Sequence, residues 1–232
     1  MRPIVTYGTS KYSQIRAIDI KHEGRKVKFR VVDKKYSKKT FTVSINFPGI
    51  HFVRNALAAI AVGLEYKVSI ENIKNALIKF AGVGRRFEVY TNITKNKKNI
   101  TVIDDYGHHP TEIEAVIKAT KKAYPNKEIN LVFQPHRYSR TKDCFDELVR
   151  TLQLPNQVFL FDIYSAGESK IKKISSANIV KTIKACKKNN ATFLDSFSKA
   201  EKVIESKIKN NSIVLIMGAG NISNFVNTFL EK

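Results

Sequence analysis

The sequence predicts an α/β fold in two parts: a strand-rich part over residues 1–84 and a doubly wound, mostly parallel domain over residues 85–232. Three observations carry this. Residues 1–47 hold short runs that alternate or are β-branched, residues 100–217 hold five apolar runs, and amphipathic stretches separate those five. Apolar runs without alternation belong to strands covered on both faces, as in a parallel sheet flanked by helices.

In the first part, Ile4–Tyr7, Gln14–Ile20, Lys26–Val32 and Phe41–Asn46 read as strands, with a turn at Glu23-Gly24. Phe47-Pro48-Gly49 ends them and opens a helix from Ile50 to Glu65. A second helix, Ile70–Phe80, takes Ser69 as its N-cap and sets Ile73, Leu77 and Ile78 at helical spacing. The glycine-rich stretch Ala81–Arg86 is the expected hinge. Beyond it, strands are expected at Ile100–Ile103, Ile129–Phe133, Gln157–Phe161, Thr192–Leu194 and Ile213–Met217. Helices are expected over 110–124, 141–153, 175–189, 198–210 and 221–231.

Composition bounds the function. With 43% hydrophobic and 10% aromatic residues the chain is not a disordered one, despite 41 Lys+Arg against 20 Asp+Glu and a net charge of +21. The longest apolar run, Ala56–Leu64, is half of the ~18 residues a membrane span needs. The opening residues lack the apolar core of a secretory signal. A cytoplasmic protein without a membrane partner is expected. Cys144 and Cys186 lie in helical segments far apart, which suggests neither a disulfide nor a metal-binding Cys pair. The charge first suggests nucleic acid, but 31 of the basic residues are Lys and 10 Arg, and Lys, Asn and Ile together supply 75 residues. Those three share A/T-rich codons, so base composition alone spreads lysine over a surface. The densest basic stretch, Lys21–Lys39, alternates with Val27, Phe29 and Val31 as the solvated face of a strand would. Nucleic acid is disfavoured as a partner.

In doubly wound sheets, ligands bind beyond the carboxyl ends of the strands. Those ends read Asp104–Glu112, Gln134–Thr141, Asp162–Glu168 and Gly218–Ile222, and three of five histidines, His108, His109 and His136, fall in the first two. Arg137 and Arg140 could clamp a carboxylate or phosphate. His109 before Pro110 reads either as a helix cap or as a ligand group, and Asp104 either as a turn cap or as a ligand carboxylate. No HxH or HExxH spacing marks a metal site. Gly218-Ala219-Gly220 lacks the third glycine of a dinucleotide fingerprint, Ser223 standing in its place, and reads as a tight turn.

These loops resemble the Mur ligases, in the branch that joins L-alanine to UDP-N-acetylmuramate during peptidoglycan precursor synthesis. The resemblance is carried by Thr6–Gly8, His51–Ala59, Gly82–Phe87, Asp104–Glu112, Gln134–Thr141, Tyr164–Glu168 and Gly218–Ile222, in the family's order over nearly the whole chain. It implies an ATP- and Mg²⁺-dependent ligation through an acyl phosphate. Residues 1–84 would be the remnant of the central ATPase-domain sheet, and 85–232 the Rossmann-like C-terminal domain. It further implies that Asn55, Arg86 and Asp105 contact ATP, with Asp105 on the ribose. Tyr106, His108, His136, Arg137 and Arg140 would form the L-alanine pocket. Position 52, usually Asn in the family, is Phe52, whose ring can stack on a base but cannot hydrogen-bond it.

No Gly-x-x-Gly-Lys-[Ser/Thr] phosphate cradle occurs in the sequence. The family's cradle, metal ligands and UDP-sugar domain precede the matching region, so the chain alone is expected to bind ATP poorly and not to turn over. A separately encoded N-terminal half would then be its partner. The alternative is a decayed remnant or an amino-acid-binding protein without catalysis.

Overall fold

The structure is a computed structural model that describes residues 4–186 and 190–231. The chain divides into two compact units, residues 1–82 with 118–125, and residues 83–117 with 126–232.

In the first unit, β1 (Tyr7–Gly8), β2 (Ile15–Glu23), β3 (Lys26–Asp33) and β4 (Thr40–Ile45) form one sheet in that order. β1 runs parallel to β2, and the other pairs are antiparallel. Alternation does what it predicts: Val27, Phe29 and Val31 are buried, whereas Lys26, Lys28 and Arg30 face solvent. The basic stretch is a solvated strand face, with Arg30 Nε paired to Asp19 at 2.7 Å. Helices α1 (Ile50–Glu65) and α2 (Ile70–Lys79) cover the apolar face, bringing Val53, Leu57, Ile60 and Ile73 onto Ile15, Phe29 and Val43. Ser69 caps α2 as expected, accepting the Asn72 N–H at 3.2 Å. The first strand is shorter than expected. Ile4 is 76% exposed, and the registered pairs with β2 begin at Tyr7.

The rest of the chain holds β5 (Glu88–Lys95), β6 (Lys98–Asp105), α3 (Pro110–Ala123), β7 (Ile129–Phe133), α4 (Tyr138–Asp143), α5 (Phe145–Thr151), β8 (Gln157–Phe161), α6 (Ser176–Ala185), β9 (Ala191–Leu194), α7 (Phe197–Lys207), β10 (Ile213–Met217) and α8 (Ile222–Leu230), all in the second unit except α3 beyond Ile117. The sheet order is β5-β6-β10-β7-β8-β9, and every pair is parallel except β5 with β6. The all-apolar β10 takes a central place between β6 and β7, with its five residues at 0% exposure. Ala200, Ile204, Phe225 and Phe229 of α7 and α8 pack on one face of the sheet.

The second unit also departs from expectation. The antiparallel edge strand β5 was not expected: its residues are mostly half-buried or exposed and its register shifts between Tyr90 and Ile93, which blurs the alternation. The helix expected over 141–153 is two, α4 and α5, which meet at Cys144, and it begins earlier, at Tyr138. Of the helix expected over 175–189, α6 ends at Ala185, and residues 187–189 lie outside the described residues. Cys144 and Cys186 are both free thiols.

Candidate functional site

The carboxyl ends of β6, β7, β8 and β10 meet in the second unit, and their loops carry most of the predicted residues. After β6, Glu112 accepts the backbone N–H groups of His108 and His109 on one oxygen, each at 3.1 Å. His109 Nδ1 accepts the Thr111 N–H at 3.3 Å. With Pro110 opening α3, this is a reciprocal capping box, so the cap is the role that His109 takes. Glu112 lies below the usual carboxylate range. Burial works against that, and hydrogen bonds from His108 and His109 and the charges of His108 and Arg86 outweigh it.

Four rings follow one another across the strand ends. Tyr106 meets His108 edge-on at 5.5 Å between ring centroids, His108 lies 5.6 Å from His136, and His136 stacks on Tyr164 at 5.4 Å. A lone parallel bridge between His136 and Tyr164 holds this stack, and the Arg137 N–H donates to the Tyr164 carbonyl at 2.8 Å. Arg137 takes a positive φ of 71° where the chain turns into α4. Glu168 anchors that turn from the next loop, accepting from the Ser139 N–H at 2.9 Å and its hydroxyl at 2.6 Å. Arg140 Nη1 lies 3.3 Å from His136 Nδ1. Burial, with His108, Arg140 and Arg137 nearby, holds His136 below the ordinary histidine range, so it is neutral at pH 7.

The two aspartates at the end of β6 take different partners. Asp105 is 2% exposed, and its oxygens accept the Phe87 and Gly107 N–H groups at 2.9 and 2.8 Å. Burial raises its pKa to about 6 against the pull of those hydrogen bonds and of Arg86. Asp104 caps no turn. It pairs with Arg85 Nε at 3.2 Å, while Arg85 Nη2 donates to the Gly218 carbonyl at 2.6 Å. The other Asp104 oxygen is buried and accepts no hydrogen bond among the described residues; burial pushes its pKa up and Arg85 opposes that. The guanidinium groups of Arg85 and Arg86 both lie 5.4 Å from the Tyr106 ring, and Arg86 stays exposed.

Gly218 and Gly220 serve close packing. A Cβ on Gly220 would stand 2.6 Å from Gln134 Oε1 and 2.7 Å from the Tyr164 ring. Gln134 in turn holds the start of α8, accepting the Ile222 N–H at 3.0 Å and donating to Asn221 at 2.8 Å. A cleft of about 350 Å³ opens beside this knot, lined by Gln134, Tyr164, Ser165, Asp195, Phe197 and Asn221 among others. Among the described residues no cluster of three or more His, Cys, Asp or Glu could hold a metal ion, and no helix is long and apolar enough to cross a membrane.

The family model of the Mur ligase glutamate ligase domain matches residues 85–220, the stretch that holds nearly all of these loops. The chain belongs to the Mur ligase family. The Mur ligase middle domain matches residues 1–63. Among named relatives, the UDP-N-acetylmuramate–L-alanine ligase of Hydrogenovibrio crunogenus is 42% identical over 231 residues, covering 100% of this chain and 50% of that protein. The enzyme of the same name from Nitrosomonas eutropha is 42% identical over 224 residues, covering 95% of this chain and 47% of that one. The crystal structure of UDP-N-acetylmuramate–alanine ligase from Thermotoga maritima superposes with a TM-score of 0.79 at 29% identity, covering 97% of this chain and 46% of that one. The chain thus spans about half the length of the curated relatives it matches.

Of the predicted residues, Tyr106, His108, His136, Arg137 and Arg140 come together around the ring series. Arg86 reaches the same surface through Tyr106. Asn55 is exposed on α1 in the other unit, and Phe52 packs at 5.0 Å from Phe47 and 4.4 Å from His51. Asp105 is 2% exposed, with its oxygens on the Phe87 and Gly107 N–H groups. Sequence reasoning missed the supporting carboxylates Glu112 and Glu168. Only Glu112 left a signal, as the fourth residue after His108 at a helix start.

Proposed function

We propose that this chain supplies the amino-acid pocket and part of the ATP site of a ligase that joins L-alanine to UDP-N-acetylmuramate in the cytoplasm. Residues 1–84 are then the C-terminal portion of the middle, ATPase domain, and residues 85–232 the C-terminal domain. One observation carries the reading: two arginines, two histidines and a tyrosine converge at the carboxyl ends of β6 and β7, on loops whose counterparts belong to named alanine ligases.

Bidentate guanidinium groups suit the carboxylate of an amino acid, which assigns Arg137 and Arg140 to that end of L-alanine. ATP, with Mg²⁺, supplies the phosphoryl group that activates the muramyl carboxylate. On this chain the exposed Arg86 fits a phosphate, and the exposed Asn55 a polar contact to the nucleotide. Asp105 fits direct ribose contact poorly, with both oxygens on backbone N–H groups, and acts instead by ordering the Arg85–Phe87 turn and Gly107.

The test is reconstitution. The chain is mixed with the half of the Hydrogenovibrio crunogenus ligase that it does not match, and phosphate release is followed with ATP, UDP-N-acetylmuramate and L-alanine. Release that needs both halves and L-alanine, and that Arg137→Ala abolishes, supports the reading. Silence from the mixture, together with no L-alanine binding by calorimetry, overturns it.

A further inference from the structure

We propose that His108 is the proton acceptor for the incoming amine, and that its neighbour His136 is fixed as a hydrogen-bond donor. The proposal rests on the amino-acid-pocket reading and gives the two histidines opposite chemistry. Their partners decide it. A guanidinium only donates, so His136 Nδ1, 3.3 Å from Arg140 Nη1, must accept, and the proton of the neutral ring sits on Nε2. A backbone carbonyl only accepts, so His108 Nδ1, 3.2 Å from the Tyr106 oxygen, must carry the proton. Glu112 Oε2 lies 3.8 Å from the same nitrogen. The lone pair of neutral His108 is therefore on Nε2, and no hydrogen bond to that atom occurs among the described residues.

Most of the other bases at these strand ends are occupied, and the unpartnered oxygen of Asp104 is buried. Glu112 holds two backbone N–H groups, Glu168 holds Ser139, and Asp105 holds Phe87 and Gly107. His109 caps α3 through Nδ1 and turns Nε2 toward Cys144 Sγ at 3.7 Å. The groups around His108 are Glu112 from α3, Tyr106 directly after β6, with the Arg86 guanidinium over the Tyr106 ring, and His136 from the β7 loop. Burial, with His108, Arg140 and Arg137 nearby, lowers the pKa of His136 and so disfavours a second positive charge beside His108.

An amino acid at neutral pH carries an ammonium with no lone pair, and it cannot attack an acyl phosphate until one N–H bond breaks. That proton passes to His108 Nε2, and its electron pair stays on nitrogen. The pair forms the new C–N bond, the C–O bond to phosphate breaks with its electrons on the departing phosphate, and the second proton leaves with that phosphate. The imidazolium formed is stabilised at Nδ1 by the Tyr106 carbonyl and Glu112.

Two measurements on the 232-residue chain test this. Long-range ¹H–¹⁵N spectra at pH 8 should show His108 protonated on Nδ1 and His136 on Nε2; the same tautomer at both overturns the proposal. Titration with L-alanine between pH 5.5 and 8 should lose affinity toward the acid end, at most about tenfold per pH unit for one proton taken up. Glutamine at position 108 accepts through its side-chain oxygen without titrating, so His108→Gln should bind more weakly and without that pH dependence. His136→Gln should keep it. Alanine binding with a flat pH profile in the wild type, or one still steep in His108→Gln, removes His108 as acceptor and leaves the pocket standing. No binding at any pH overturns the pocket reading itself, whatever the tautomers.

Discussion

Replacing Asp105 by Asn sets two opposing effects against each other, and pH separates them. The carboxylate is 2% exposed and its pKa is raised from 3.8 to about 6 by burial, so the folded protein binds a proton there that the unfolded chain does not hold between about pH 4 and 6. Stability from this group is therefore greatest in acid and falls as pH rises through that window. The difference is about 3 kcal/mol by pH 7, as an order of magnitude. Asn removes that charge penalty. It also turns an amide N–H₂ toward either the Phe87 or the Gly107 N–H, and a buried donor left without an acceptor costs about 1–3 kcal/mol. At pH 7 the two nearly cancel, whereas at pH 5 the folded wild-type carboxyl is mostly protonated and about half of the charge penalty is gone, so Asn falls behind by about 1.4 kcal/mol. Urea unfolding of both proteins at pH 5, 6, 7 and 8 gives the difference directly, and Asp104 is common to both. The expected result is a variant clearly less stable at pH 5 and close to wild type at pH 7–8. A difference constant across that range would show that burial does not raise Asp105, and would refute the reasoning.

Two further predictions concern the same strand ends. Gly220→Ala forces a Cβ to within 2.6 Å of Gln134 Oε1 and 2.7 Å of the Tyr164 ring. Overpacking should cost about 1–3 kcal/mol in thermal unfolding, and pushing Tyr164 off His136 should weaken L-alanine binding. Arg85→Ala leaves Asp104, with its side chain 5% exposed, without its cation, and should cost about 3–5 kcal/mol. Adding Asp104→Asn should recover much of that loss, and a strictly additive double variant would show that the two side chains do not depend on each other.

The site was legible by residue type more than by role. The histidine and arginine loops stand in the sequence next to apolar runs, and the rule that ligands gather at strand ends points to them. Roles depend on partners, and the partners are remote. Arg85 reaches the Gly218 carbonyl 133 positions away, Gln134 holds Ile222 88 positions away, and Ser139 rests on Glu168 29 positions away. Asp104 and Asp105 are neighbours of like chemistry. One pairs with an arginine and the other ties down two backbone N–H groups, a division that no local pattern contains.

By itself, the sequence determined the apolar runs that become buried strands, the helices between them, the Ser69 cap and the lysine-lined face of β3. Each follows from side-chain periodicity or one local hydrogen bond within a few residues. Tertiary structure alone decided that β10, last in the chain, lies between β6 and β7, because an apolar run records that a strand is buried and not beside which strand. It also decided that β5 pairs as an antiparallel edge and that Cys144 divides a helix. The proton positions on His108 and His136 belong to the same class, since a histidine's tautomer is set by whichever donor or acceptor the fold brings to its ring.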